Sequence, residues 1–112
     1  MEEIPFQVVS LDQLPSQLKN QAHQAVHSTQ EAVRLLSADS KKYVIISLGE
    51  KTTSGYKINV KKVEQKGNKL IVHAQKQEPP KDSFQAQVIT YPAVIIVTEP
   101  KNHVESAEVN WL

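Results

Sequence analysis

The 112 residues are 39% hydrophobic and 22% charged, a length and composition that suit one compact domain with its own core. No cysteine occurs, which excludes disulfide frameworks, thiolate zinc sites and cysteine nucleophiles. Thirteen basic residues nearly balance twelve acidic ones, but only one, Arg34, is arginine, so a nucleic-acid surface built on bidentate guanidinium contacts is not expected.

The charge is unevenly placed. Residues 1–40 carry two basic and five acidic side chains, whereas residues 41–112 carry eleven lysines and seven acids. Such lysines suit exposed strands, which they keep soluble and guard against edge pairing. The longest apolar run, Ala93-Val94-Ile95-Ile96-Val97, is five residues, and Tyr43-Val44-Ile45-Ile46 is four. Both fall far short of the ~20 residues that cross a bilayer as a helix. Met1-Glu2-Glu3 is not followed by the apolar stretch of a secretory signal.

In chain order, Pro5-Phe6-Gln7-Val8-Val9 reads as a short strand. Leu11, Leu14, Leu18, Ala22, Ala25 and Val26 then recur at near-helical spacing. Ser10 and Gln13 have capping-box spacing, but a helix from there would bury Pro15 in its interior. Pro15 suits a first turn, so the helix is placed at 15–26. His27-Ser28-Thr29-Gln30 is a polar connection. Periodicity alone leaves Ala32 to Leu36 open between helix and strand, and the Asp39-Ser40-Lys41-Lys42 turn favours a hairpin from 32–37 to 42–48.

From Tyr43 onward the pattern is β. Tyr56, Ile58 and Val60 alternate with Lys57, Asn59 and Lys61, the mark of a half-buried strand with a lysine-coated outer face. Lys62 breaks that alternation and predicts a bulge or the end of pairing. Gln65-Lys66-Gly67-Asn68 is a turn, and Leu70 to Ala74 resumes the sheet. Glu78-Pro79-Pro80-Lys81-Asp82 cannot lie inside a sheet, because two ladder donors are missing. Val88-Ile89-Thr90 is a short strand ending at Tyr91-Pro92. Ala93 to Val97 is apolar throughout and reads as a central strand buried on both faces. Glu99-Pro100-Lys101-Asn102 is a turn, and Val104, Glu105 and Val109 suggest a weak last strand. The expected fold is mainly β (α+β): a small antiparallel β-sandwich or partly open barrel with one N-terminal helix. Residues 1–112 are expected to form a single domain, with a strand and helix in 1–30 and a β-rich region in 31–112.

The usual catalytic constellations are missing. His23 and His27 stand four apart, but Gln24 occupies the position where the zincin motif needs glutamate, and no third ligand is evident. Ser47-Leu48-Gly49 and Ser54-Gly55 do not form a nucleophile elbow, and three scattered glycines make no phosphate loop. No enzymatic activity, metal or cofactor is expected. One segment, Ser47 to Ile58, combines two glycines, a polar loop and an aromatic that opens a strand. Structurally it is a tight corner, with Gly49 and Gly55 free to take positive φ. Functionally, a rigid loop bearing threonines and a tyrosine can serve as a protein-contact tip.

The run Leu48-Gly49-Glu50-Lys51-Thr52-Thr53-Ser54-Gly55-Tyr56-Lys57-Ile58 resembles the G-x-x-x-T-x-G-G-Y-x-I signature of the PrcB C-terminal domain family, with Ser54 in place of the first of the paired glycines. Leu70-Ile71-Val72, Glu78-Pro79 and Tyr91-Pro92 followed by Val94 to Val97 extend the likeness over residues 43–98. The resemblance implies a small β-rich accessory domain of bacterial extracytoplasmic proteins, often lipoproteins. Its named member assists the assembly or stability of a surface protease. It implies a protein partner, a protease or another envelope protein, and no catalytic residues. It also implies a cell-surface or secreted setting with any signal segment outside these residues, while a cytoplasmic one stays open. Thr52, Thr53, Ser54, Tyr56 and Tyr91 are the expected protein-binding residues, and Gly49, Gly55, Pro79 and Pro92 the expected structural ones. Thr52-Thr53-Ser54-Gly55-Tyr56 also resembles the N-P-T-T-G-Y loop of chagasin-like cysteine-protease inhibitors, and inhibition is the alternative function. Those inhibitors add G-x-G-G and R-P-W loops, which this chain lacks.

Overall fold

The computed structural model describes residues 2–81, 84 and 86–112; Met1, Asp82, Ser83 and Gln85 lie outside the described residues. The strands are β1 (Glu2–Ile4), β2 (Gln7–Val9), β3 (Ala32–Ala38), β4 (Lys41–Ser47), β5 (Lys57–Lys66), β6 (Lys69–Gln77), β7 (Ala93–Thr98) and β8 (Ser106–Trp111), and the helix α1 spans Ser16–Val26. They form two open four-stranded sheets, ordered β1-β5-β6-β8 and β2-β7-β4-β3. The fold is therefore mainly β with one helix, as the alternation and the proline break imply, and neither sheet closes into a barrel.

Residue chemistry sets each boundary. Ser10 does make a capping box, its backbone N–H donating to Gln13 Oε1 at 2.8 Å, but the box caps a single 3-10 turn, Leu11–Gln13. The α-helix begins only after Pro15, which serves as its N-cap. Asp39 and Ser40 close the β3–β4 hairpin at φ 55° and 65°. That left-handed pair lets a two-residue turn follow the right-handed twist of its strands. The β5–β6 ladder shifts register between Val60 and Lys62, which leaves Lys61 as the extra residue of a bulge. It then runs to Lys66 opposite Lys69, around Gly67 at φ 61°.

The apolar run in β4 is explained by layering. Tyr43 and Ile45 face α1 and pack with Leu14, Leu18, Ala22, Ala25, Leu36 and Ile95. Val44 and Ile46 face the opposite sheet and pack with Val63, Leu70, Val72, Ile96 and Val104. The helix covers one face of β4 and the second sheet covers the other, so the strand needs apolar residues at every position. β7 sits between β2 and β4 and is buried in the same way.

Three features depart from the pattern read in the sequence. β1 is an additional strand, pairing Ile4 with Val63, and the chain crosses to the other sheet at Pro5–Phe6, where Thr98 Oγ1 donates to the Pro5 carbonyl at 2.7 Å. Val88–Thr90 forms no strand; only Thr90 bridges, to Lys51. The last strand, β8, pairs with β6 in parallel, unlike every other ladder among the described residues. A polar row across the outer face ties it down: His73 lies 2.6 Å from Glu64 Oε1 and 3.0 Å from the Asn110 side-chain amide.

Candidate functional site

The β4–β5 loop (48–56) and the β6–β7 loop (78–92) meet at one end of the sandwich. The first leaves β4 through Gly49, whose φ is 86°. An added Cβ there would lie 2.9 Å from the Thr29 carbonyl oxygen and 3.0 Å from Gln30 C and Glu31 N. Only glycine combines that φ with so close a backbone approach. Around it, Gly49 N–H donates to Ser47 Oγ, Glu50 N–H to the Thr29 carbonyl, and Leu48 N–H to the Pro92 carbonyl. The loop therefore leaves the sheet in one fixed direction.

Five contacts then stitch the two loops together. Lys51 and Thr90 exchange two backbone hydrogen bonds of 2.8 Å each. Thr90 Oγ1 donates to the Thr53 carbonyl at 2.8 Å, and Ser54 N–H donates to the Ala86 carbonyl at 3.3 Å. The Tyr91 hydroxyl donates to Glu50 Oε1 at 2.7 Å. The Glu50 carboxylate that accepts this proton, aided by partial desolvation, holds the Tyr91 phenol above its ordinary range.

The expected binding residues are brought to this one end, in different surroundings. Thr52 is exposed, while Thr53, Ser54, Tyr56 and Tyr91 are half-buried. Gly55 has φ 102° and delivers the chain to Tyr56, whose ring has Lys51 Nζ 5.2 Å from its centroid. Pro79 follows the end of β6, and Pro92 immediately precedes β7. Tyr91 also meets the helix: its ring lies 5.1 Å from that of His27, which stacks on His23 at 4.3 Å. The two histidines thus make an aromatic contact with the loop pair. Among the described residues, no group of three or more His, Cys, Asp or Glu side chains is placed to hold a metal ion.

Sequence reasoning missed the apolar part of the site. Phe84 is 96% exposed, and Val88 and Ile89, at 48% and 51%, follow it on the same loop. Large apolar side chains left exposed on one loop are candidates for contact with a partner. The signal in the sequence was an aromatic in a polar stretch after the two prolines. Chemically, this end offers apolar anchors flanked by hydroxyls and by Lys51, Glu50 and Lys81. That composition suits contact with another protein surface.

No solved structure matches the chain. A protein of Methanocaldococcus jannaschii, named Uncharacterized protein MJ1373, is 38% identical over 71 residues, which cover 63% of this chain and 43% of that relative. The chain thus spans less than half of that relative's length. Residues 42–99 match the model of the family described as PrcB C-terminal. The match runs from β4 through β7 and takes in both loops of the site. It covers more than half of the chain, which therefore belongs to the PrcB C-terminal family.

Proposed function

We propose that this domain is a noncatalytic accessory module that binds another protein through the paired loops at residues 48–56 and 78–92. Membership of the PrcB C-terminal family supports an accessory role. In that role the domain assists the assembly or stability of a bacterial extracytoplasmic protease or another envelope protein, and works at the cell surface or as a secreted protein. The observation that carries the reading is the exposed trio Phe84, Val88 and Ile89 on a loop hydrogen-bonded to its neighbour. Covering one such side chain contributes about 1.5–3 kcal/mol. Because Ala86, Thr90 and Tyr91 are already hydrogen-bonded to the neighbouring loop, little of the gain at Val88 and Ile89 is lost to ordering them. Thr52 and the Tyr91–Glu50 pair supply polar contacts at the rim.

Comparative capture from the native host tests this. Wild-type bait is expected to retain a protein that a Phe84→Ser, Val88→Ser, Ile89→Ser bait loses, with circular dichroism showing both baits folded. Equal retention by the two baits would overturn the assignment of the surface.

A further inference from the structure

We propose that β3 is the pairing edge of a homodimer. The outer strands of the two sheets are β1, β8, β2 and β3. β1 and β2 are three residues long. The stretch of β5 that β1 leaves uncovered, Lys57–Lys62, carries three exposed lysines and a bulge. β8 bears Glu108, with Glu105 just before the strand. Short length, lysines and bulges are the usual guards of a sheet edge. β3 has none of them. It runs for seven residues in unbroken register with β4, contains no lysine, proline or glycine, and carries one charge, Arg34.

The hairpin fixes which groups face outward. A two-residue turn makes Ala38 and Lys41 a hydrogen-bonded pair, and bonding alternates from there. Ala32, Arg34, Leu36 and Ala38 therefore spend their backbone groups on β4, while Val33, Leu35 and Ser37 point N–H and C=O outward. Among the described residues, no backbone hydrogen bond outside the β3–β4 ladder involves these three.

The edge is complementary to itself. A two-fold axis at Leu35 sets Leu35 opposite Leu35 of the second copy and Val33 opposite its Ser37, so outward-facing residues meet outward-facing residues for about six hydrogen bonds. The same axis sets Ala32 opposite Ala38 and Arg34 opposite Leu36, so no like charges face each other within the strand. Beyond its end, Glu31 comes opposite Asp39 of the second copy, and the Glu31 carboxylate is already paired with Lys76 at 2.6 Å. The β2-β7-β4-β3 sheets of the two copies become one sheet of eight strands.

Sedimentation equilibrium over micromolar to millimolar protein, with and without Ser37→Pro, tests this. Ser37 is exposed and its N–H is outside the β4 ladder, so proline spares the ladder, losing only the exposed Lys42 Nζ to Ser37 Oγ hydrogen bond, while removing an intermolecular donor from each copy. Wild type is expected to dimerise and the variant to associate roughly 100-fold more weakly. Amide hydrogen exchange on the wild type gives a readout that needs no variant: Val33, Leu35 and Ser37 gain protection as dimer forms. A monomer throughout, a dimer that Ser37→Pro leaves intact, or a dimer with those three amides unprotected would each overturn the proposal.

Discussion

The Tyr91 hydroxyl reaches across two loops, 41 positions along the chain, to donate a 2.7 Å hydrogen bond to Glu50 Oε1. The carboxylate stabilises the protonated phenol and raises its titration. A tyrosine whose folded-state value lies above its unfolded value contributes stability that is fully present below ordinary phenol titration. That stability is lost as pH rises through the folded-state value. Tyr91 is expected to ionise later than a free tyrosine when followed by NMR or ultraviolet absorbance, and Glu50→Gln to move it back down. Identical titration in the two proteins would mean that the hydrogen bond does not form in solution.

Gly49 and Gly67 separate two costs that sequence alone cannot distinguish. Both have positive φ, but a Cβ on Gly49 meets the backbone of Thr29 to Glu31, whereas one on Gly67 meets nothing within 4 Å. Gly67→Ala carries only left-handed strain, about 1–2 kcal/mol. Gly49→Ala adds a clash with immobile backbone and is expected to cost at least about 2 kcal/mol more. At roughly 5 °C per kcal/mol for a domain of this size, thermal melts resolve the two. Equal melting temperatures would contradict the close approach at Gly49. Gly55→Val, at φ 102°, is expected to cost about 1–3 kcal/mol by strain alone.

Ile45 is 1% exposed and sits between α1 and the sheet. Truncation to alanine leaves a cavity in that layer, which is expected to cost about 2–5 kcal/mol. Urea denaturation measures it directly, and a loss below 1 kcal/mol would mean that the helix layer repacks freely.

A chagasin-like inhibitor would insert the Thr52–Ser54 segment into a papain-like cleft. Here the Thr53 carbonyl and the Ser54 N–H are already bonded to Thr90 and Ala86, and of the three residues only Thr52 is exposed. No inhibition of papain-like enzymes is expected at micromolar concentration, where a nanomolar inhibitor would saturate them. Stoichiometric inhibition, abolished when Thr52–Ser54 are replaced by glycine, would establish the inhibitor function instead.

Local chemistry made much of the fold legible. The Asp39–Ser40 turn, the break at Lys62, the helix capped by Pro15 and the buried Ala93–Val97 strand all follow from period, proline placement and turn residues. β1 was illegible because three residues with one apolar side chain carry no period. The parallel pairing of β8 depends on where β6 lies in space, which no local pattern encodes. The corner at Gly49 and Gly55 was visible as a motif. Its pairing with residues 86–91 was not, because Ser54–Ala86 and Lys51–Thr90 are contacts between distant segments. Phe84 stands in a polar stretch with no period around it, so no local pattern marks it.

The central claim is that the paired loops carry the partner-binding surface. Its most direct measurement is site-specific photo-cross-linking in the native host. A cross-linking amino acid replaces Phe84 in one protein and Lys66, beside the turn at the far end of the β5–β6 hairpin, in another. The account predicts one heterologous protein adduct from position 84, lost when Val88→Ser and Ile89→Ser are added, and none from position 66. The same adduct from both positions, or from position 66 alone, would contradict it.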